Sequence, residues 1–452
     1  MMLPDVPDEL LARLDVPGPR YTSYPTAPVW GEDFGPRDYA RQLEIAGADA
    51  TAPLSVYVHI PFCRELCTYC GCNVVVAKNP HKADVYLAAL AREMDLVRER
   101  LGARRTVSQL HWGGGTPTFL DERQLALLFG TLDARFDLRP DAEIAIEIDP
   151  VVTTDAQLAL LARLGFNRLS MGVQDFDPEV QRAVRRIQTV EETRARLESA
   201  RELGFRAVNF DLICGLPLQT PASWRRTLEQ VVALRPDRLA VYSFAYVPSA
   251  RPHQRALARF GIPSARAKLE LRRLAHEVLG GAGYRAIGMD HFALPTDELA
   301  QAQESRSLRR NFQGYTVVPA SDVVAFGATG ISDVGGAYAQ NVRPLPRYYG
   351  ALAVRRLATE RGVVLSADDR ERRRIIESLL CNFWVDLGAD AGRRFATELG
   401  EVAALEREGL VRVRGSEIDV LPLGRIFVRN VAMVFDAYLR AQETRPAFSQ
   451  TV

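Results

Sequence analysis

No stretch of this 452-residue chain comes near the roughly 18 consecutive apolar residues that a membrane-spanning helix needs. A secretory signal is missing too: MMLPDVPDELLARLD is acidic and broken by proline where a leader would be basic and then apolar. The expectation is a soluble, cytoplasmic protein with no membrane insertion. Net charge is nearly absent, since 57 Lys+Arg against 56 Asp+Glu leaves +1. No global field therefore recruits nucleic acid or an anionic membrane, and an acidic ligand must be met by local clusters. Internal repeats and low-complexity segments are also lacking. What is there is ordinary globular usage, 47% hydrophobic, 25% charged and 8% aromatic, which excludes a disordered or collagenous chain. The length allows two or three domains, or one large barrel carrying appendages.

Cysteine is scarce, with six residues, but unevenly spread. Cys63, Cys67, Cys70 and Cys72 fall within ten residues, whereas Cys214 and Cys381 stand alone in the apolar DLICGLP and SLLCNF and are expected to be buried, unreactive thiols. In a reducing compartment such crowding argues for metal or redox chemistry over disulfides. A structural zinc site would divide its ligands into two pairs about a dozen or more residues apart, and no second pair exists. A 4Fe-4S cluster accepts closely spaced thiolates, and three protein ligands leave one iron open to a small molecule.

Residues 1–50 show no clear period and read as an irregular arm. From residue 55, β-rich runs alternate with amphipathic helical runs: the strand candidates are 55–62, 109–118, 143–150, 168–176, 207–217 and 238–248, with helices such as 81–101 and 155–166 between them. Six successive units with no strand-order reversal fit a curved parallel sheet or partial barrel (51–300) better than a doubly wound sheet. In EIAIEIDP, period-2 alternation sets Ile144, Ile146 and Ile148 on one face and Glu147 and Asp149 on the other. The Gly-rich 324–341, within a connecting segment spanning 301–365, reads as loop and tight packing. In 366–452, helical patterns at 367–383 and 391–408 precede two short strands joined by RGSE and a final helix, a winged-helix-like, mainly helical unit without a basic recognition helix.

The x3 then x2 cysteine spacing after the first strand, with the GGGTPT run (113–118) one βα unit later, resembles the radical S-adenosylmethionine (SAM) superfamily. PGPRYTSYPTA (17–27), YVHIPFC (57–63), CGCN (70–73), FNRLSMGVQDF (166–176), FDLICGLPLQT (210–220), IGMDHFA (287–293), RNFQGYT (310–316) and RNVAMVFDAYLR (429–440) extend the likeness over essentially the whole chain. On them the sequence is similar to the oxygen-independent coproporphyrinogen III oxidases. The resemblance implies an α/β partial (β/α)6 barrel and a radical made by reductive cleavage of SAM. It also implies conversion of two propionates of coproporphyrinogen III to vinyl groups, giving protoporphyrinogen IX.

Carried over residue by residue, it implies cluster ligation by Cys63, Cys67 and Cys70. A first SAM would be held by Tyr57, Gly114 and Glu147, and a second by Tyr69, Gly115, Thr116, Gln174, Arg186, Asp211, Ala245 and Ile331. The family has phenylalanine at position 69 and lysine where Leu218 stands. His59 reads either as a core histidine or as a group beside the radical site. Cys72 reads as an alternative ligand, a relay or a packing residue, with a supporting catalytic role preferred. The acidic substrate calls for arginines, and Arg20, Arg309 and Arg310 are the candidates, with the arm closing over the bound molecule. An electron donor, an electron acceptor and a monomeric state are further expectations. The alternatives are a haem-trafficking paralogue without oxidase activity and an iron-sulfur regulator that binds DNA.

Overall fold

The computed structural model describes residues 3–318, 322–441 and 448–452. The arm is less irregular than its sequence suggests. It holds helices α1 (Asp8–Leu14) and α2 (Pro36–Gly47). Pro36 starts α2 from its first turn, where no N–H is needed.

Six strands then alternate with helices as expected: β1 (Leu54–Ile60), β2 (Thr106–Gly114), β3 (Asp137–Ile148), β4 (Arg168–Gln174), β5 (Ala207–Cys214) and β6 (Arg238–Ser243). Between and after them run α3 (Lys82–Leu101), α4 (Glu122–Asp133), α5 (Asp155–Arg163), α6 (Pro178–Val184), α7 (Val190–Glu202), α8 (Pro221–Leu234) and α9 (Ala265–Gly281). Several of these helices begin on reciprocal caps that the sequence announces, such as Asp121 with Gln124, Thr154 with Gln157 and Thr189 with Glu192. The strands pair in parallel in chain order. Ile144, Ile146 and Ile148 bury the outer face of β3 in the main core, as its alternation requires.

The sheet continues past this barrel. Short antiparallel strands β7 (Arg285–Ile287) and β8 (His291–Ala293) follow β6, while β9 (Asp322–Phe326), β10 (Ile331–Val334), β11 (Ala337–Asn341) and β12 (Thr359–Val364) extend the β1 edge, giving twelve strands. β9 runs parallel to β1, Leu54 opposite Asp322 and Val58 opposite Phe326. The expectation of loop at 324–341 is therefore overturned. Its glycines serve the turns between strands, Gly327, Gly335 and Gly336 all at positive φ, while the apolar residues between them pair.

Downstream, the RGSE hairpin forms from Val411–Arg414 and Glu417–Val420, with Trp384–Asp386 as a third strand. Helix Ala367–Asn382 matches its pattern; the segment 391–408 breaks at Phe395, and the final helix is three short ones between Pro422 and Ala441. A second core joins Leu10, Leu11 and Leu14 of α1 to Leu379, Phe427 and Val431 of this unit, so the arm packs on the C-terminal part of the chain.

Candidate active site

The register of β1 to β5 lines their inner face with polar groups. Tyr57 lies opposite His111, and its ring stacks on that imidazole with centroids 5.8 Å apart. Tyr57 Oη is 3.2 Å from His59 Nδ1, and His59 Nε2 is 3.3 Å from the Asn73 carbonyl. A carbonyl only accepts, so Nε2 carries the proton and Nδ1 receives the tyrosine hydroxyl. Burial lowers the His59 pKa and keeps the ring neutral. Glu147 accepts from His111 Nε2 at 3.1 Å and from the Gly114 N–H at 3.2 Å. Burial pushes this carboxyl up, but His111 and the Gly114 amide outweigh it and hold Glu147 below its usual range. Asp211 accepts from Ser170 Oγ at 2.9 Å and Asn209 Nδ2 at 3.0 Å, and burial, then the neighbouring Glu147, push it up to about 6. The barrel face thus carries one ionised and one readily protonated carboxyl.

The cysteine loop leaves β1 directly above these groups. Cys63 Sγ is 3.3 Å from Thr116 Oγ1, Cys67 Sγ receives a 3.9 Å contact from Arg186, and Cys70 Sγ accepts the Cys72 N–H at 3.4 Å. A segment that no motif flagged buttresses the loop. His253 Nε2 donates to the Cys70 carbonyl at 2.8 Å, Gln254 Nε2 to the Tyr69 carbonyl at 2.9 Å and Arg251 to that of Gly71 at 2.8 Å. These contacts span about 180 residues of sequence, so no local signal could have shown them. His111, by contrast, was legible, because alternation in QLHWGG puts it on the same face as Gln109 and Gly113.

Gly113 to Gly115 are required by space. A Cβ on Gly113 would sit 2.5 Å from the Glu147 carboxylate, and one on Gly115 would sit 2.8 Å from the backbone of Pro61 and Phe62. Gly114 has φ +115° and lies against the His59 ring. The bare backbone therefore lets Glu147, His59 and the Pro61–Phe62 segment pack against the end of β2, and Gly114 and Gly115 also line the cavity that the cysteines share.

One cavity of about 430 Å³ gathers Cys63, Cys67, Cys70, Cys72, Tyr69, Gly114, Gly115, Thr116, Glu147, Gln174, Arg186, Asp211 and Ala245, with Arg20 also on its wall. Tyr57 and His59 lie behind it, against His111 and Gly114. Ile331 is not brought there; it packs beside the Trp30–Tyr338 cluster on β10. Arg309 is corrected as a substrate ligand, since it is exposed and faces Glu377 at 3.4 Å. Arg310 is buried beside Tyr315 Oη at 3.3 Å, off this cavity, and Leu218 is exposed on a positive-φ turn. Cys214 and Cys381 are buried, as expected.

The radical SAM superfamily profile matches residues 57–231. An oxygen-independent coproporphyrinogen III oxidase from Pseudomonas aeruginosa is 46% identical over 98% of both chains, and one from Escherichia coli 45% identical over 98% of both. The solved coproporphyrinogen III oxidase of Escherichia coli, described as a radical SAM enzyme, superposes with a TM-score of 0.90 at 43% identity, covering 97% of this chain and all of that one. This chain belongs to the oxygen-independent coproporphyrinogen III oxidases.

The residues present fit what a radical SAM member of this oxidase family needs. Four free thiols line one cavity, and three of them, Cys63, Cys67 and Cys70, stand at the spacing that suits a multi-iron cluster. Arg186 Nε is buried without a partner among the described residues, although Nη1 of the same guanidinium faces Asp149 at 3.0 Å, so a donor is left over at the cavity. Gly114 and Gly115 present bare backbone to the same cavity, where a polar ligand can be met by main-chain groups.

Proposed function

We propose that the protein carries out the oxygen-independent oxidative decarboxylation of two propionates of coproporphyrinogen III, giving the vinyl groups of protoporphyrinogen IX. The observation that carries the reading is the convergence of three thiols, a glycine-walled strand end and an ionised glutamate on one cavity, in a chain similar to these oxidases over its full length. When bound there, a 4Fe-4S cluster and SAM would supply a reducing electron and a source of the hydrogen-abstracting radical needed at the propionate β-carbon. Loss of CO2 then leaves the vinyl group and one electron for an external acceptor.

The chain's part is to hold and shield. Cys63, Cys67 and Cys70 would ligate the cluster, and the Cys72 N–H donates to the Cys70 sulfur. Glu147, kept ionised by His111 and Gly114, would accept from the hydroxyls of SAM, while Tyr57 and His59 support this wall from behind. Tyr69, Gly115, Thr116, Gln174, Arg186, Asp211 and Ala245 offer further polar and aromatic surface for a second SAM on the same cavity. The arm, which packs on the C-terminal helices and brings Arg20 to the cavity wall, would help keep water from the radical. Six free thiols suit a reducing cytoplasm, in which we place a monomer served by an external electron donor.

The test is turnover. Reduced, anaerobically reconstituted protein with SAM and coproporphyrinogen III should yield vinyl porphyrin together with 5′-deoxyadenosine. Haem binding without any vinyl product would replace this reading with the trafficking one.

A further inference from the structure

A second cavity, of about 40 Å³, adjoins the large one, and Arg20 and Ser243 line both. The strand residues Cys214, Val241 and Ser243 and the tail residues Thr451 and Val452 form part of its wall, and its charged groups come from four other parts of the chain: the arm brings Arg20, α9 brings Lys268 and Arg272, the segment after β7 brings Asp290, and the C-terminal helices bring Arg429. Four cations thus face one carboxylate side chain.

That carboxylate is shared, since Asp290 Oδ1 lies 2.8 Å from His291 Nδ1 while its charge also favours Arg272 and Arg429 from beyond ion-pair distance. Among the described residues none of the four cations forms an ion pair. Each is instead pinned by backbone carbonyls: Arg20 by Ser243 at 2.9 Å, Lys268 by Phe244 at 3.2 Å, Arg272 by Met289 at 2.8 Å and Arg429 by Pro19 at 2.9 Å and Gln450 at 2.7 Å. Carbonyls orient these groups without neutralising them, and buried uncompensated charge is costly. The cost is visible in the groups themselves. Burial lowers the pKa of Lys268 and Arg272, and burial together with Arg20 brings Arg429 down to about 9. An excess of buried positive charge, held open beside a reaction cavity, is completed by an anion.

We propose that this small cavity is the subsite for one non-reacting carboxylate arm of the substrate, with the macrocycle lying in the large cavity. The assignment rests on the oxidase reading above. Size supports it: a water needs about 10–15 Å³, so a cavity of about 40 Å³ admits a carboxylate but no pyrrole ring. Arg20 stands where the two spaces meet, at the neck through which a propionate-length arm would pass. Anchoring one arm there holds the macrocycle in the large cavity, so the subsite determines affinity and the choice of a carboxylate-bearing substrate.

The experiment uses the cluster-loaded protein and variants R20Q, K268Q and K268R, with cluster absorbance as the check of folding. Three quantities are read: binding of coproporphyrin III, the stable tetracarboxylate, against its tetramethyl ester; KM and kcat for coproporphyrinogen III; and affinity for SAM. R20Q and K268Q should each weaken tetracarboxylate binding and raise KM about tenfold, the loss of one charged hydrogen bond. Ester binding, kcat and SAM affinity should change little, and K268R should recover the wild-type KM. R20Q lies on the arm, outside the barrel core, and carries the test if K268Q does not fold. Unchanged KM and tetracarboxylate binding in a wild type and variants that turn over would overturn the subsite and leave the oxidase reading standing. Weakened SAM binding would reassign the cations to the nucleotide's own carboxylate and overturn it equally. If the wild type forms no vinyl product, the function falls and the subsite with it.

Discussion

Glu147 shows how little separates a binding carboxylate from a buried liability. Its desolvation is offset by two donors, His111 and the Gly114 amide, and its free lone pairs face the cavity. Glu147→Gln puts an NH2 among donors and leaves at least one of them unpaired, at a cost of about 1–3 kcal/mol. SAM affinity, read by calorimetric titration, should therefore fall about tenfold or more while the brown cluster absorbance persists. Unaltered SAM affinity would remove Glu147 from the site. The cysteines divide in the same way. Cys67→Ala should abolish the cluster absorbance, whereas Cys72→Ser keeps the backbone N–H that reaches Cys70 Sγ and should retain the cluster while turnover drops. Cluster loss in both variants would show four ligands instead of three. These cysteines were legible from spacing alone, and Glu147 from period-2 alternation. The buttress of Arg251, His253 and Gln254 was not, because hydrogen bonds between side chains and distant carbonyls leave no periodic trace.

At the scale of elements, β2 must end in bare backbone. Gly115 approaches the Pro61 and Phe62 backbone so closely that the extra methyl of Gly115→Ala has no flexible side chain to displace. We expect a loss of about 1–3 kcal/mol in denaturant unfolding together with impaired cluster loading; wild-type stability would refute the steric reading. Helix α3 is tied to the added strands by Glu93, which accepts from the Gly327 N–H, Asn341 and Tyr348. Burial raises this carboxyl to about 7 from an ordinary 4.5, against the lowering by those donors. With the folded value above the unfolded one, folding takes up a proton in that window. The stability Glu93 contributes is complete below about 4.5 and is lost as pH rises through about 7, at about 1.4 kcal/mol per unit. The stability difference between wild type and Glu93→Gln should accordingly shrink from pH 4.5 to 7, measured by unfolding titrations across that range; a flat difference would mean Glu93 folds already ionised. The six barrel strands were legible because each carries its own alternation. β9 to β11 were hidden because glycine turns set so closely together look like loop when pairing partners are unseen.

The whole molecule closes by joining its two ends. Thr451 N–H donates to the Val16 carbonyl at 3.0 Å, Gly18 N–H to that of Ser449 at 3.1 Å, and Thr451 Oγ1 to that of Leu14 at 2.6 Å, while Arg429 bridges Pro19 and Gln450. Tyr21 adds a 2.9 Å bond to Asp436. Sequence offered only a likeness at both ends, since contacts between residues more than 400 apart depend on where the intervening barrel delivers them. The consequence is that Arg20, at the neck between the two cavities, is held in place by a strap whose other half is the C-terminus. Removing residues 449–452 deletes several of these bonds, each worth about 1 kcal/mol net, without touching the barrel core. The arm should then open more often. Trypsin should cut at Arg20 about tenfold faster under native conditions, as expected when local opening governs cleavage, and KM for the porphyrinogen should rise while cluster absorbance stays constant. Cleavage at the wild-type rate would show that the core contacts of α1 alone hold the arm, and that the tail has no part in closing the site.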